Sequence, residues 1–117
     1  MKLTRSEAIE QHRDMWDRIF RYCNERYSLE KTPQPKRIKL HVLKEMNNGV
    51  IPCVGYCHYL CDYVIREKWG NCRHCPLEWD VPCVRAYSLY NKFYAAKTYR
   101  EAAYYALQIR NLKERKM

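Results

Sequence analysis

The chain has 117 residues, a length that suits a single domain over residues 1–117 and leaves little room for a second. Lys and Arg outnumber Asp and Glu by 22 to 13, which gives a formal charge of +9 and favours an anionic partner such as nucleic acid, a nucleotide or an acidic protein surface. No apolar run approaches the roughly 20 residues that cross a bilayer, and the charged start has no apolar signal-peptide core. We therefore expect a cytosolic protein with no membrane partner.

The first predicted helix begins at a capping box formed by Thr4 and Glu7, in which the hydroxyl and the carboxylate each satisfy a free amide. Apolar and aromatic residues then recur at steps of three and four as far as Tyr27 and predict one buried stripe. The stripe comprises Ile9, His12, Trp16, Ile19, Phe20, Cys23 and Tyr27. Since Cys23 and His12 lie on it, we predict that Cys23 fills the core and that His12 is a hydrogen-bonded structural histidine.

The stretch KTPQPK, residues 31–36, predicts a turn or short linker, because proline lacks the amide donor that a helix interior needs. In RIKLHVLKEMNNG, residues 37–49, Ile38, Leu40 and Val42 alternate with polar residues as in a strand, whereas Leu40, Leu43 and Met46 fit one helix face. We favour a short helix that stops at Asn48-Gly49, because no second alternating run exists to pair with a strand.

A third helix is predicted from about residue 56 to residue 69, and Gly70 ends it. Residues 71–83 contain Pro76 and Pro82 and are predicted to be irregular. Residues 84–116 form two helices that meet near Lys97, since Thr98 and Glu101 have the spacing of a second capping box. The buried stripe of the last helix is predicted to be Ala102, Tyr105, Ala106, Ile109 and Leu112.

Six of the seven cysteines lie between residues 53 and 83 with the spacing C-x3-C-x3-C-x10-C-x2-C-x7-C. Cys72 and Cys75 form a C-x2-C pair, which can bind one tetrahedral ion from a tight turn. On the predicted third helix Cys57 and Cys61 are one turn apart, so their sulfurs project to the same side. This predicts a structural Zn2+ site. Its four thiolate ligands are Cys57, Cys61, Cys72 and Cys75, and either His58 or Cys83 could take the place of a ligand from the third helix.

Disulfides fit this pattern poorly, because cytosolic thiols stay reduced and the number of cysteines is odd. Four protein sulfurs leave no open position on the metal for water, so such a site supports folding and no hydrolysis. The chain has no G-x-S-x-G motif and no phosphate loop, and Asp14 and Asp17 are predicted to face solvent, which gives no general-acid pair. We therefore predict that the protein is not an enzyme.

Tyrosines crowd the C-terminal third of the chain among Arg and Lys residues. Their helical spacing predicts that about half of them build the core. Aromatic rings among basic groups also suit the stacking of bases, and tyrosine is a favoured anchor in protein interfaces. From this set we predict four partner-binding residues, which are Tyr87, Tyr94, Arg100 and Tyr104.

Four segments together resemble a family of small proteins encoded by tailed bacteriophages. They are EAIEQHRDMW (residues 7–16), CHYLCDYV (57–64), CRHCPLEW (72–79) and LYNKF (89–93). The resemblance covers most of the chain except its loops, and the C-P-L-x-W box is its most specific part. The family's upstream pair is C-x2-C, whereas here Cys57 precedes His58, so the resemblance leaves the fourth ligand open. It implies a zinc-type site and the cytoplasm of an infected bacterium, and it implies no activity.

Taken together, the sequence predicts a mainly α, small helical domain organised around a Cys-rich, zinc-knuckle-like loop. The predicted function is that of a phage accessory protein that binds a host protein, as a host-takeover or anti-defence inhibitor. The alternative is a basic protein that binds nucleic acid or sequesters a nucleotide. An enzyme ranks third, because it would require a three-sulfur zinc site that keeps a water molecule.

Overall fold

The structure is a computed structural model that describes residues 4–46, 77 and 88–114. Its helices are α1 (Arg5–Glu25), α2 (Pro35–Met46), α3 (Leu89–Tyr94) and α4 (Tyr99–Arg110). The mainly α fold class is confirmed, since helices make up most of the described residues. The helix predicted at residues 56–69 and the Cys-rich loop lie outside them. None of the described helices combines the length with the apolar character that crossing a bilayer requires.

Helix α1 begins at the predicted capping box. Thr4 Oγ1 accepts a hydrogen bond from the Glu7 amide at 3.1 Å, and Glu7 Oε1 accepts one from the Thr4 amide at 2.9 Å. The hydrogen bond from the Thr4 amide, and to a lesser extent the Thr4 side chain, favour the charged carboxylate and hold the pKa of Glu7 below its usual value. The helix ends at Glu25. Tyr27 therefore lies beyond it and is 49% exposed, so its predicted place on the buried stripe is wrong.

Helix α2 confirms the helical alternative over the strand for residues 37–46. It begins at Pro35, where the missing amide is harmless because first-turn amides have no partner within a helix. The predicted turn at KTPQPK therefore ends earlier than expected, because the helix begins at the second proline of this stretch. Ile38, Val42 and Leu43 are buried, and the predicted stop at Asn48-Gly49 lies outside the described residues. Lys39 is buried as well, and its Nζ donates to the Tyr90 hydroxyl at 3.0 Å.

Helices α3 and α4 form the predicted pair with a break near Lys97. Ser88 Oγ caps α3 by accepting from the Asn91 amide, and Thr98 Oγ1 caps α4 by accepting from the Glu101 amide, both at 3.1 Å. On α4 the alanines and Ile109 of the predicted stripe are buried, and Tyr105 is partly buried. The helix ends at Arg110, earlier than predicted, so Leu112 lies beyond it and the predicted place of Leu112 on the helical stripe is wrong. The small alanine side chains allow α1 to approach α4 closely, and the α1–α4 pair is the most extensive helix contact in the described region.

The core is centred on Trp16, whose side chain is fully buried. Its ring meets Phe93 edge-on, with centroids 5.0 Å apart, and Tyr90 edge-on at 6.0 Å. Edge-to-face contacts are favourable because the positive ring edge meets the negative ring face. Trp16 therefore joins α1 to α3, while Ile19 and Met15 extend the same apolar cluster along α1.

Leu77 connects the C-P-L-x-W box to this core. Its side chain is fully buried in the apolar cluster, and its backbone forms an isolated antiparallel bridge with Glu114, just after α4. Glu114 also pairs with Arg5 in the first turn of α1. Leu77, two positions after Cys75, is thus held beside the C-terminal end of α4. Glu114 links that end to the first turn of α1.

Replacing Thr98 with alanine is expected to lower the free energy of unfolding by about 1 kcal/mol, because the Glu101 amide would lose its cap. Urea denaturation followed by circular dichroism measures the change. Thr32→Ala is the matched control, since Thr32 is exposed in the loop before α2, and its effect should stay within about 0.5 kcal/mol. Equal effects of the two substitutions would contradict the assigned cap.

Candidate partner-binding surface

Every predicted metal ligand lies in a part of the chain that the structure does not describe. Cys57, Cys61, Cys72 and Cys75, the alternatives His58 and Cys83, and the partner-binding Tyr87 all lie outside the described residues. Within residues 4–46, 77 and 88–114, no group of three or more His, Cys, Asp or Glu side chains could hold a metal ion. The zinc site therefore stays a prediction.

Cys23 and His12 are both fully buried, which confirms their predicted place in the core. Burial raises the pKa of the Cys23 thiol to about 12, although the nearby charge of Arg26 opposes the shift. A thiol with this pKa stays protonated at neutral pH and is a poor nucleophile and metal ligand. The His12 ring lies 6.3 Å from that of Trp16, measured between centroids.

The buried thiol predicts a loss of stability at alkaline pH. In the unfolded chain Cys23 ionises near its ordinary pKa of 9.0, whereas in the folded chain it keeps its proton to about 12. Between these values the unfolded state binds fewer protons, so the free energy of unfolding falls as pH rises, by at most about 1.4 kcal/mol per pH unit. Urea denaturation at pH 8 and pH 10 should show a steeper decline for the wild type than for Cys23→Ala. Identical declines would contradict the assignment.

The end of α1 contains a stacked arginine. The guanidinium of Arg26 lies 3.5 Å from the centroid of the Tyr22 ring, and its Nη1 donates to the Tyr22 carbonyl oxygen at 2.9 Å. A planar guanidinium is weakly hydrated on its faces, so it packs on a ring while its edges remain available as donors. Glu25 is the nearest acid to Arg26, at 3.8 Å, which is beyond hydrogen-bonding distance.

A second stacked arginine comes from the first turn of α4. Arg100 Nη2 donates to the Tyr27 hydroxyl at 2.9 Å, and the guanidinium lies 4.7 Å from the centroid of the Tyr27 ring. Arg100 forms no ion pair with any acid in the described residues. Its positive charge is therefore held in place by an aromatic ring without being neutralised there.

Tyr99 and Tyr104 complete one continuous surface. Tyr99 is half-buried, and burial together with the nearby Tyr22 raises the pKa of its phenol, whereas Arg26 lowers it. Tyr104 follows Arg100 by one helical turn, so both lie on one face of α4, and its ring is 59% exposed. We name this the tyrosine–arginine surface. It consists of Tyr22, Arg26, Tyr27, Tyr99, Arg100 and Tyr104.

Two of the predicted partner-binding residues, Arg100 and Tyr104, lie together on this surface. Tyr94 lies on α3 and is half-buried, where its ring stacks on Tyr90 with centroids 4.8 Å apart and meets Phe93 edge-on. Such packing is typical of a core-margin tyrosine. The expectation that part of the tyrosine set builds the core is thus met by Tyr90 and Tyr94.

Four of the six residues of the tyrosine–arginine surface were not among the predicted partner-binding residues. Tyr22, Arg26 and Tyr27 come from the segment RYCNERY, which alternates aromatic and basic residues much as the C-terminal third does. That alternation was the available signal. The apolar spacing of three and four residues obscured this alternation, because it placed Tyr27 on the buried stripe. Helix α1, however, ends before Tyr27.

A polar groove of mixed charge adjoins this surface between α1 and α2. Its lining includes Asp14, Asp17, Glu25 and Glu45 together with Arg18, Arg21, Arg26 and His41. Asp14 is exposed, as predicted, and pairs with Arg18 at 3.3 Å. Asp17 differs from the prediction, because it is half-buried and bridges Arg21 at 2.8 Å and Arg110 at 2.7 Å. These carboxylates neutralise neighbouring arginines.

Comparisons with protein-family models, with curated proteins and with solved structures found no match.

Proposed function

We propose that this protein is a small phage accessory protein that binds a host protein in the bacterial cytoplasm, as a host-takeover or anti-defence inhibitor. The observation that supports the proposal is the tyrosine–arginine surface. Tyr and Arg are enriched among the residues that contribute most to protein–protein binding. Here Arg100 contacts the exposed Tyr27, lies one helical turn before the exposed Tyr104 and has no acidic partner in the described chain. The proposal assigns no catalytic reaction.

The surface is also pre-organised, which favours binding. Arg26 and Arg100 are each held against a tyrosine ring before any partner arrives. A side chain that is already ordered loses less conformational entropy on binding, a saving of about 0.5–1.5 kcal/mol for each long side chain. Tyrosine adds contact area at low entropic cost, because its side chain has only two rotatable bonds.

A structural Zn2+ bound by Cys57, Cys61, Cys72 and Cys75, with His58 and Cys83 as alternative ligands, is part of the same proposal. The cysteine spacing supports it. The burial of Leu77 is a second support, since this residue lies only two positions after Cys75 and is fixed in the core. A metal site near that point would stabilise the helices indirectly, as in other small domains with modest cores.

Nucleic acid or a nucleotide is the alternative partner, and the formal charge of +9 favours it. The charge is unevenly distributed, however. Helix α1 has four arginines against five acidic residues, while α2 has four basic residues against one acidic residue. The tyrosine–arginine surface adjoins a groove in which carboxylates of α1 are paired with arginines, so the groove lacks the row of free cations that a phosphate backbone needs. A protein partner is therefore the better match to this surface.

Native mass spectrometry tests the proposal. The tagged full-length protein is isolated from lysate of its bacterial host, with and without nuclease treatment, and is measured with its bound components. We expect one host protein in stoichiometric complex. A complex that contains only nucleic acid, with affinity falling steeply as salt increases, would replace the proposal with its alternative. Protein that carries no macromolecule from any of several hosts would refute both.

A further inference from the structure

We infer that the tyrosine–arginine surface recognises a protein segment in which a carboxylate side chain stands beside an aromatic or aliphatic side chain. This inference rests on the proposed function and specifies the chemistry of its partner. The carboxylate would pair with Arg100, and the neighbouring apolar side chain would pack between the exposed rings of Tyr27 and Tyr104.

The charge and geometry of Arg100 support the carboxylate. A guanidinium has five N–H donors in a planar fork, and the hydrogen bond to Tyr27 uses one of them. Because no acid in the described chain pairs with Arg100, its positive charge is available to pair with an anion of the partner. Among protein side chains, the carboxylates of Asp and Glu match this planar fork, because a carboxylate can accept two parallel hydrogen bonds from it.

The exposure of the two rings supports the apolar neighbour. Tyr27 and Tyr104 are two of the three large hydrophobic residues that are markedly exposed in the described residues. Tyr27, just beyond the end of α1, contacts Arg100, and Tyr104 follows Arg100 by one turn on the same face of α4. A side chain that covered both would remove apolar area from water at about 25 cal/mol per Å2.

The surroundings favour a protein segment over a nucleic acid strand. A phosphate backbone brings a negative charge with every nucleotide and needs a track of cations. The adjoining groove offers no such track, because four carboxylates line it together with the basic side chains of Arg18, Arg21, Arg26 and His41. Arg100 does not line this groove, so a short segment with one or two carboxylates can pair with it without entering the groove.

NMR titration of the full-length protein tests the inference with three probes. The first is a short synthetic peptide with the central sequence Glu-Phe-Glu, the second replaces both Glu residues with Gln, and the third is an oligothymidylate of similar length. Ring signals of Tyr27 and Tyr104 and the Nε–H signal of Arg100 are followed. We expect saturable shifts at all three residues with the Glu peptide and about tenfold weaker binding of the Gln peptide, because a charge-assisted pair is lost.

Two substitutions of Arg100 and one matched control test whether the Glu peptide binds at this residue. Arg100→Ala should weaken the Glu peptide about tenfold, and Arg100→Lys should do so in part because Lys lacks the planar fork. Arg37→Ala removes the same charge from an exposed position on α2 and should leave binding unchanged. Equal weakening by Arg37→Ala, equal binding of the Gln peptide, or tighter binding of the oligothymidylate at these residues would each overturn the inference. Circular dichroism confirms that each variant is folded.

The inference and the proposed function can fail separately. If the wild type captures a stoichiometric host protein and Arg100→Ala captures it equally well, the assigned surface is wrong and the function stands. If the Glu peptide binds as expected and no host protein is captured, the chemistry of the surface stands and the proposed function is wrong.

Discussion

Replacing Trp16 with alanine is expected to lower the free energy of unfolding by about 3–5 kcal/mol. The side chain is fully buried at the point where α1 meets α3, so its removal loses the transfer free energy of a large apolar group and leaves a cavity. Domains of this size have only about 5–15 kcal/mol of stability in total. The variant should therefore be largely unfolded well below the wild-type melting temperature.

Tyr104→Ala is the matched control for this prediction. It also removes an aromatic side chain, but one that is 59% exposed, so the stability change should stay within about 0.5 kcal/mol. Thermal and urea unfolding of both variants, followed by circular dichroism, provides the measurement. A loss below about 1 kcal/mol for Trp16→Ala would show that this residue does not join the helices as described.

Local features of the chain could be predicted because their causes are local. The caps at Thr4 and Thr98 depend on residues three positions away, and the buried faces of α1 and α4 follow from a period of three to four residues. The same reasoning placed Cys23 in the core. At Tyr27 it was wrong, because an apolar period continues in sequence even after the helix has ended.

Contacts between distant parts of the chain could not be predicted in this way. The Arg100–Tyr27 hydrogen bond joins residues that are 73 positions apart, and the Arg110–Asp17 bond joins residues that are 93 apart. Neither follows from a local pattern, since each depends on how α4 packs along α1. Sequence reasoning could name Arg100 and Tyr104 as candidates, but it could not show that the end of α1 supplies the other half of the surface.

The proposed zinc site predicts a larger effect than any core substitution. A structural Zn2+ can contribute on the order of 10 kcal/mol to folding, which is comparable to the whole stability of a small domain. Cys72→Ser or Cys75→Ser is therefore expected to abolish cooperative unfolding, and a strong chelator should do the same to the wild type. Loss of the metal is expected to affect the helices through Leu77, because this residue is buried in the core two positions after Cys75.

Cys23→Ala separates the loss of a ligand from the loss of a cysteine. Cys23 is buried with a thiol pKa of about 12, so its substitution should cost only the contacts of a small apolar side chain and leave the metal bound. Metal analysis of purified protein should give one zinc per chain for the wild type and Cys23→Ala, and less for Cys72→Ser. If the wild type contains no metal and melts identically with and without chelator, the cysteines between residues 53 and 83 do not form a structural zinc site.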